Sequence, residues 1–169
     1  MLASKQYTAD GQLSTDVGDT IEVNGQLYPF LHVEPRKYRF RLLNGAATRT
    51  FMLQLHQEET TVDPQAFYVI ASDAGYLEAS IVTSTLRIAQ GERYEIVIDF
   101  LPYAGTYVKL RNSDGNLIES DTLGQVLKFV VGKQVSSDAN NHVPPPQLRD
   151  IEFLSVPTTA EKSFTFERK

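Results

Sequence analysis

The fold of this chain is decided by residues 18–55, GDTIEVNGQLYPFLHVEPRKYRFRLLNGAATRTFMLQL. Within this stretch, residues 37–42 alternate strictly between basic and apolar side chains, and Leu43 ends the strand. A period of two is typical of a β-strand with one buried face and one exposed or partner-covered face. The buried face is predicted to carry Tyr38, Phe40 and Leu42, and the other face Lys37, Arg39 and Arg41.

Turn signals bound this strand on both sides. Glu34-Pro35 precedes it, and proline forces an extended approach and offers no backbone donor. Asn44-Gly45 follows it as a turn signal, and alternation resumes over residues 51–55. We therefore predict a β-hairpin-like unit made of residues 37–43 and 51–55, which would nucleate an all-β domain.

Short apolar segments separated by turn residues continue to residue 131. Asn24-Gly25, after a short strand at residues 21–23, is the strongest short hairpin signal. Further strands are predicted over residues 28–33, 65–72, 81–88, 94–100, 106–111 and 125–131. In the strand at residues 94–100, alternation places Glu95 and Asp99 on the outward face. About eight strands at spacings near ten residues, without a helical period, predict an antiparallel Greek-key β-sandwich or barrel.

The bulk composition is that of a globular protein. The chain has 169 residues, of which 41% are hydrophobic and 22% charged, enough to bury a core. Its net charge of −5 argues against a general nucleic-acid role. No apolar run approaches the roughly 18 residues of a membrane span. The first residues lack the layout of a signal peptide.

The sequence carries no recognisable catalytic or metal-binding motif. The absence of cysteine excludes disulfides, thiolate metal ligands and a cysteine nucleophile. The three histidines, His32, His56 and His142, form no H-x-H or H-x₃₋₅-H pair. Neither G-x-S-x-G nor a glycine-rich phosphate loop occurs. We therefore predict no catalytic residue and no metal ligand in this chain.

Basic residues occupy the outward face of the central strand and flank it. We call them the basic row: Arg36, Lys37, Arg39, Arg41 and the nearby Arg49. The row could bind an anionic partner, because arginine forks suit bidentate pairing with carboxylates. The interpretation that we favour is internal. In it, the basic side chains pair with Asp73, Glu95 or Asp99 and hold loops or a neighbouring domain in place.

Three ordered motifs carry a family resemblance. They are the stretch quoted above, FYVIASDAGYLEAS at residues 67–80 and IAQGERYEIVIDF at residues 88–100. Over roughly residues 10–131 the chain resembles the middle cupredoxin domain of three-domain multicopper oxidases, of the bilirubin oxidase-like and laccase-like kind. The resemblance implies a cupredoxin-type Greek-key β-sandwich, in agreement with the strand pattern.

The resemblance also implies an activity for the parent molecule. A mononuclear copper takes electrons from phenolic or bilirubin-like donors, and a trinuclear copper cluster reduces dioxygen to water. In this family the copper ligands come from the first and third domains. The resemblance therefore implies no cofactor in this chain, copper in the parent enzyme, and a parent that is extracellular or exported.

The positions that match the family pattern are structural. The candidates for structural or domain-interface roles are Pro35, Arg39, Arg41, Asn44, Arg49, Asp73, Arg93 and Asp99. Two departures fall in one turn-and-strand region: Ala74 stands where a second glycine is common, and Ser80 where proline is common.

Three segments are predicted along the chain. Residues 1–17 form an N-terminal arm or linker, residues 18–132 the cupredoxin-like domain, and residues 133–169 a proline-rich linker and the start of a following domain. Three consecutive prolines at residues 144–146 make the linker extended and semi-rigid.

The leading functional hypothesis is a non-catalytic, copper-free central domain. It would space and orient the copper-bearing first and third domains, its partners in the same or a separate chain. The alternative is a stand-alone β-sandwich that recognises a protein or carbohydrate through loops at residues 57–64 and 112–121. A truncated or split enzyme is a third hypothesis.

Overall fold

A computed structural model describes residues 2–5, 20–57, 64–114, 122–137, 139, 141–152 and 165. Apart from one 3-10 turn at Leu101–Tyr103, the regular structure in these ranges is β. The strands are β1 (Leu2–Lys5), β2 (Thr20–Val23), β3 (Gln26–Leu27), β4 (Phe30–Val33), β5 (Lys37–Leu43), β6 (Phe51–Gln57), β7 (Phe67–Ser72), β8 (Gly75–Thr83), β9 (Thr85–Ile88), β10 (Arg93–Asp99), β11 (Tyr107–Asn112) and β12 (Gln125–Val131). The predicted all-β fold is confirmed.

Four antiparallel strands form the first sheet, in the order β5-β10-β7-β8. β5 pairs along its whole length with β10, so that Lys37 lies opposite Asp99. As its alternation predicted, β5 packs Tyr38, Phe40 and Leu42 against the core.

Five strands form the second sheet, in the order β4-β12-β11-β6-β9. Neighbouring strands of this sheet are antiparallel except for β4 and β12, which are parallel. This pair departs from the antiparallel sandwich predicted, because β12 returns beside β4 only at the end of the domain and alternation does not report such a long-range pairing. A smaller sheet, β1-β2-β3, contributes the fully buried Ile21 to the core.

Aromatic rings from both large sheets meet in one core. The ring centroids of Phe100 and Phe129 lie 4.9 Å apart, and those of Phe40 and Phe129 lie 5.3 Å apart. Tyr38 meets Phe100 nearly edge-on at 5.8 Å. Tilted and edge-on contacts are the favourable arrangements of aromatic pairs. They join β5 of the first sheet to β12 of the second.

The predicted hairpin between residues 37–43 and 51–55 is wrong. β5 pairs with β10 in the four-stranded sheet, whereas β6 pairs with β11 and β9 in the five-stranded sheet. The chain therefore passes from one sheet to the other after Asn44. Each strand has one apolar face, and facing strands in two packed sheets bury such faces as well as paired strands do. Alternation alone cannot distinguish these arrangements.

Strand boundaries also differ from the prediction. The single strand predicted over residues 81–88 is divided between β8 and β9, and β8 begins already at Gly75. β8 is a mostly exposed edge strand, so its first residues show no buried face to identify them. The predicted arm at residues 1–17 contains β1, which pairs with β2.

Several predictions fall on residues that are not described. The loops of the binding-module alternative lie largely at residues 58–63 and 115–121, and most of the predicted following domain lies at residues 153–164 and 166–169. Within the described ranges, the chain forms no helix with the length and hydropathy that crossing a membrane requires.

Candidate interface on the outer face of the four-stranded sheet

The middle of the outer face of the four-stranded sheet is covered. Val97 on β10 and Ile70 on β7 stand outside the core cluster, yet they are only 8% and 5% exposed. The outer face of an antiparallel sheet is commonly solvated and polar. Here it is crossed by a connector, residues 132–152, of which residues 138 and 140 lie outside the described ones. The described connector residues have no regular secondary structure.

The connector starts at the corner between β4 and β5. The Gly132 N–H donates to the Val33 carbonyl at 2.8 Å, which continues the parallel pairing of β12 with β4. The Ser136 N–H then donates to the Glu34 carboxylate at 3.1 Å. The corner thus supplies a backbone acceptor and a charged acceptor to the first connector residues.

Basic residues of β5 and its approach bind the next part of the connector. The Arg36 guanidinium donates to the carbonyls of Ser137, at 2.9 Å, and Ala139. The backbone N–H of Lys37 donates to Asn141 Oδ1 at 2.9 Å. Arg36 therefore recognises main-chain carbonyls of the connector, and its Nη1 also lies 3.9 Å from the Glu34 carboxylate.

The far end of the connector is attached to the opposite edge of the sheet. The Leu148 N–H donates to the Glu78 carbonyl on β8 at 2.8 Å. Between the two attachments, Val143 is 58% exposed. A cavity of about 420 Å³ lies between connector and sheet, and its lining includes Tyr38, Arg39, Tyr76, Val97 and His142.

Two ion pairs join β5 to β10 on this face. Lys37 Nζ lies 2.9 Å from Asp99 Oδ2, and Arg39 Nη2 lies 2.6 Å from Glu95 Oε2. The Arg39 guanidinium also lies 5.5 Å from the centre of the Tyr76 ring. The Arg39 side chain is half exposed, so we expect its ion pair to contribute only about 0.2–1 kcal/mol. Lys37 and Arg39, two members of the basic row, are thus paired internally with carboxylates.

Asp73 and Arg93 form a separate ion pair and hydrogen bond, which we call the bracket. Asp73 Oδ1 accepts from the Arg93 backbone N–H at 2.8 Å and lies 3.0 Å from Arg93 Nε. The bracket ties the β7–β8 turn to the start of β10. Asp73 therefore pairs with Arg93 and not with the basic row.

Asn44 is the polar centre of the crossing between the sheets. Its side chain is fully buried, and its Nδ2 donates to the carbonyls of Arg49 at 2.8 Å and Ile88 at 3.0 Å. Its Oδ1 accepts from the Ala46 N–H at 2.9 Å. Its backbone exchanges hydrogen bonds with the β9–β10 turn, at Gly91 and Glu92. One side chain thus satisfies three backbone groups where neither sheet can.

The eight predicted candidates do not form one site. Pro35 is buried at the β4–β5 corner, Arg39 and Asp99 lie beneath or beside the connector, and Asn44 holds the sheet crossing together with the Arg49 carbonyl. Arg41 is exposed and borders a different groove of about 310 Å³, near Phe30 and Leu43.

The sequence did not reveal the connector attachments. In the sequence, Glu34 stands out only as part of a turn signal, and Arg36 only as a member of the basic row. Their connector partners are mostly backbone groups, which every residue carries, so no motif marks them. The excess of apolar residues at Tyr28–Leu31 is the one signal that could have indicated a second surface.

That second surface is apolar and exposed. Phe30 on β4 is 65% exposed and Leu27 on β3 is 59% exposed, and Phe30 and Leu31 border the same groove as Leu43. Large exposed apolar patches mark interaction sites. The exposed apolar side chains around this groove are therefore a second candidate interface.

The histidines of this chain do not form a copper site in the described ranges. His32 lies on β4 with its ring centroid 5.5 Å from Phe30, His56 lies on β6 beside Gln54, and His142 lies on the connector. Burial, with the nearby Arg111 cation, lowers the pKa of His56. No group of three histidine or carboxylate side chains in these ranges could hold a metal ion. The donor set described here does not fit copper.

The Glu34–Ser136 contact is expected to depend on pH. Hydrogen bonds from Ser136 and, to a smaller extent, the Arg36 cation hold the pKa of Glu34 below its ordinary value of 4.5. A lowered carboxylate pKa stabilises the folded state above pH 4.5, and this contribution is lost as the pH falls through the lowered value.

We therefore expect the Ser136 amide resonance of the chain to titrate with a midpoint below pH 4.5. In Glu34→Gln this titration should be absent. A midpoint at or above 4.5 would mean that the carboxylate gains nothing from the connector.

A protein-family sequence model and individual relatives match this chain. The family model, described as multicopper oxidase, matches residues 2–134. The chain is 42% identical to a bilirubin oxidase from Albifimbria verrucaria over 99% of this chain and 32% of that protein. It is 38% identical to a laccase from Bacillus subtilis (strain 168) over 75% of this chain and 24% of that protein.

Solved structures agree with the sequence matches. The crystal structure of the McoA multicopper oxidase from Aquifex aeolicus superposes with a TM-score of 0.76 at 30% identity, covering 91% of this chain and 34% of that one. The chain thus spans about a third of the length of the bilirubin oxidase and of this structure.

Proposed function

The chain belongs to the multicopper oxidase family, and we propose that it serves there as a central cupredoxin domain without copper or catalytic residues of its own. In this role it spaces and orients the copper-bearing first and third domains. The activity of the parent would be oxidation of phenolic or bilirubin-like donors with reduction of dioxygen to water. Export would be a property of the same parent.

The connector is the observation that carries this proposal. A chain that leaves a domain is free to move unless it is attached, and here it is hydrogen-bonded at both edges of the four-stranded sheet. Such attachment restricts the positions open to whatever follows residue 152. A spacing domain needs this property, because tethering raises effective concentration only when the geometry allows both sites to engage.

The donor chemistry of the chain supports the absence of copper. Copper sites of this family are expected to use clustered histidines and a cysteine, and the sequence has no cysteine. Since the described residues do not fit copper, no catalytic step is assigned to them. Their proposed contribution is the rigidity with which neighbouring ligands are held.

Removing every histidine from this domain tests the proposal. In the full-length oxidase that carries this chain, we expect the triple variant His32→Gln, His56→Gln, His142→Gln to keep its copper content per molecule and its oxidase activity. Metal analysis and dioxygen uptake measure the two quantities. Loss of one or more coppers from the folded variant would contradict the proposal.

Native mass spectrometry of the 169-residue chain is the second measurement. With Cu(II) added at equal concentration, we expect a 19.0 kDa species without bound copper. Retention of copper by this species, and its loss in the triple histidine variant, would mean that the domain is itself a copper site.

A further inference from the structure

The β4–β5 corner is held in place by hydrogen bonds that do not involve the connector. The Arg36 N–H donates to the Glu34 carbonyl at 2.8 Å, closing a tight turn around the buried Pro35. The Glu34 N–H donates to the Tyr38 hydroxyl at 3.0 Å, and the Arg36 carbonyl accepts from the Phe100 N–H at 3.1 Å. Both charged side chains therefore project from a fixed backbone.

The corner offers a donor and an acceptor side by side. The Arg36 side chain is only 17% exposed and donates to two connector carbonyls, those of Ser137 and Ala139. The Glu34 carboxylate accepts a hydrogen bond from the N–H of Ser136, the residue before Ser137. A planar guanidinium with several fixed donors can bind two separate carbonyls at once, which suits arginine better than lysine.

The middle of the connector is held less closely than its ends. A cavity of about 420 Å³ lies beneath it, and the Pro144-Pro145 pair provides no backbone donor. The second attachment is at Leu148, whose N–H bonds to Glu78 on β8. β5 and β8 are the two edges of the sheet, so these attachments define one line across it.

We propose that Glu34 and Arg36 form a clamp that fixes the course of the connector and, with the Glu78 attachment, the direction in which the chain leaves this domain. Arg36 is a positioning residue: it acts on the following domain through the connector and touches no reacting group. The inference rests on the proposed function, because the direction has a consequence only where another domain follows.

Hydrogen exchange in the 169-residue chain tests the clamp. In Arg36→Gln we expect the Lys37 and Leu148 amides to exchange about tenfold faster, because hydrogen bonds from a charged donor are among the strong ones. Arg36→Lys should give an intermediate rate. Arg87→Gln, which changes an exposed arginine of the other sheet, is the matched control and should leave both amides unchanged.

A second variant removes the acceptor on the connector itself. Asn141→Ala should also speed exchange at Lys37, and Asn141→Asp should restore the slow rate because it keeps the Oδ1 acceptor. In all variants the β10 amides report that the sandwich is folded. If the Lys37 and Leu148 amides of Arg36→Gln exchange as slowly as those of the Arg87→Gln control, the inference is overturned.

Distance measurements test the direction directly. The chain has no cysteine, so spin labels can be placed cleanly at Gln90→Cys and Glu152→Cys. We expect one narrow distance distribution in the parent background and a distribution at least twice as wide with Arg36→Gln. Equal widths in the two backgrounds would show that Arg36 does not set the direction.

These experiments separate the inference from the proposed function. Neither exchange nor spin-label distance depends on copper or activity. A tight connector together with copper bound by this chain would retain the clamp and remove the proposed function. A connector that stays attached and unchanged in Arg36→Gln, with copper absent from this chain, would remove the clamp and retain the proposed function.

Discussion

Asn44→Ala is expected to lower the free energy of unfolding of the chain by about 3–5 kcal/mol. The substitution leaves the carbonyls of Arg49 and Ile88 and the N–H of Ala46 without the partner that they have now. A buried polar group that loses its partner costs about 1–3 kcal/mol, and partial access of water to one of the three lowers the sum. Since domains are stable by about 5–15 kcal/mol in total, this loss should be plain in urea unfolding.

Two comparisons identify the cause of this loss. Asn44→Asp keeps the oxygen that accepts from Ala46, but it aims a carboxylate oxygen at two carbonyls. It should therefore be at least as unstable at neutral pH and recover partly on acidification, when the protonated carboxyl regains a donor. Gln90→Ala, in an exposed turn, should change stability by less than about 0.5 kcal/mol. A loss under about 1 kcal/mol for Asn44→Ala would contradict its central role in the crossing.

Phe100→Ala should cost about 3–5 kcal/mol of unfolding free energy, the range typical of a fully buried aromatic ring. The Phe100 side chain is 0% exposed, and its ring lies within 4.9–6.2 Å of the rings of Tyr38, Phe40 and Phe129. Its removal loses apolar burial and leaves a cavity at the junction of the two sheets, which close packing around β5 and β12 prevents from collapsing. Thermal or urea unfolding measures the change.

Phe30→Ala is the matched control, because it removes the same ring from the same sandwich. The Phe30 side chain is 65% exposed, so in the isolated chain we expect a loss below about 1 kcal/mol. Equal losses for the two variants would mean that the surface around β4 is covered in solution. In the full-length oxidase, an additional effect of Phe30→Ala would locate a domain contact there.

The direction of each side chain was predictable where strands have one buried face. Tyr38, Phe40 and Leu42 were assigned to the core from their alternation, and they pack against it. The same alternation put Glu95 and Asp99 on the outer face, and both lie against basic side chains there. These predictions succeed because the two-residue period is a local property of extended backbone.

The pairing of the strands was not predictable in the same way. β5 and β6 are neighbours in sequence with matching apolar faces, yet they belong to different sheets. Asn44, buried and bonded across the crossing, satisfies backbone groups at the place where the chain changes sheet. The choice depends on contacts between residues distant in sequence, about which a local pattern carries no information.

The sequence by itself determined the fold class, the core face of the main strands, the absence of thiolate chemistry and, through ordered motifs, the resemblance to multicopper oxidases. Only the tertiary structure decided which strands pair, and that Glu34 and Arg36 hold the connector against the sheet. The physical reason is the nature of the partners. Alternation and motifs are patterns of side chains, whereas the connector is held largely through backbone carbonyls and N–H groups. These groups are the same at nearly every residue and become distinct only by their position in the folded chain.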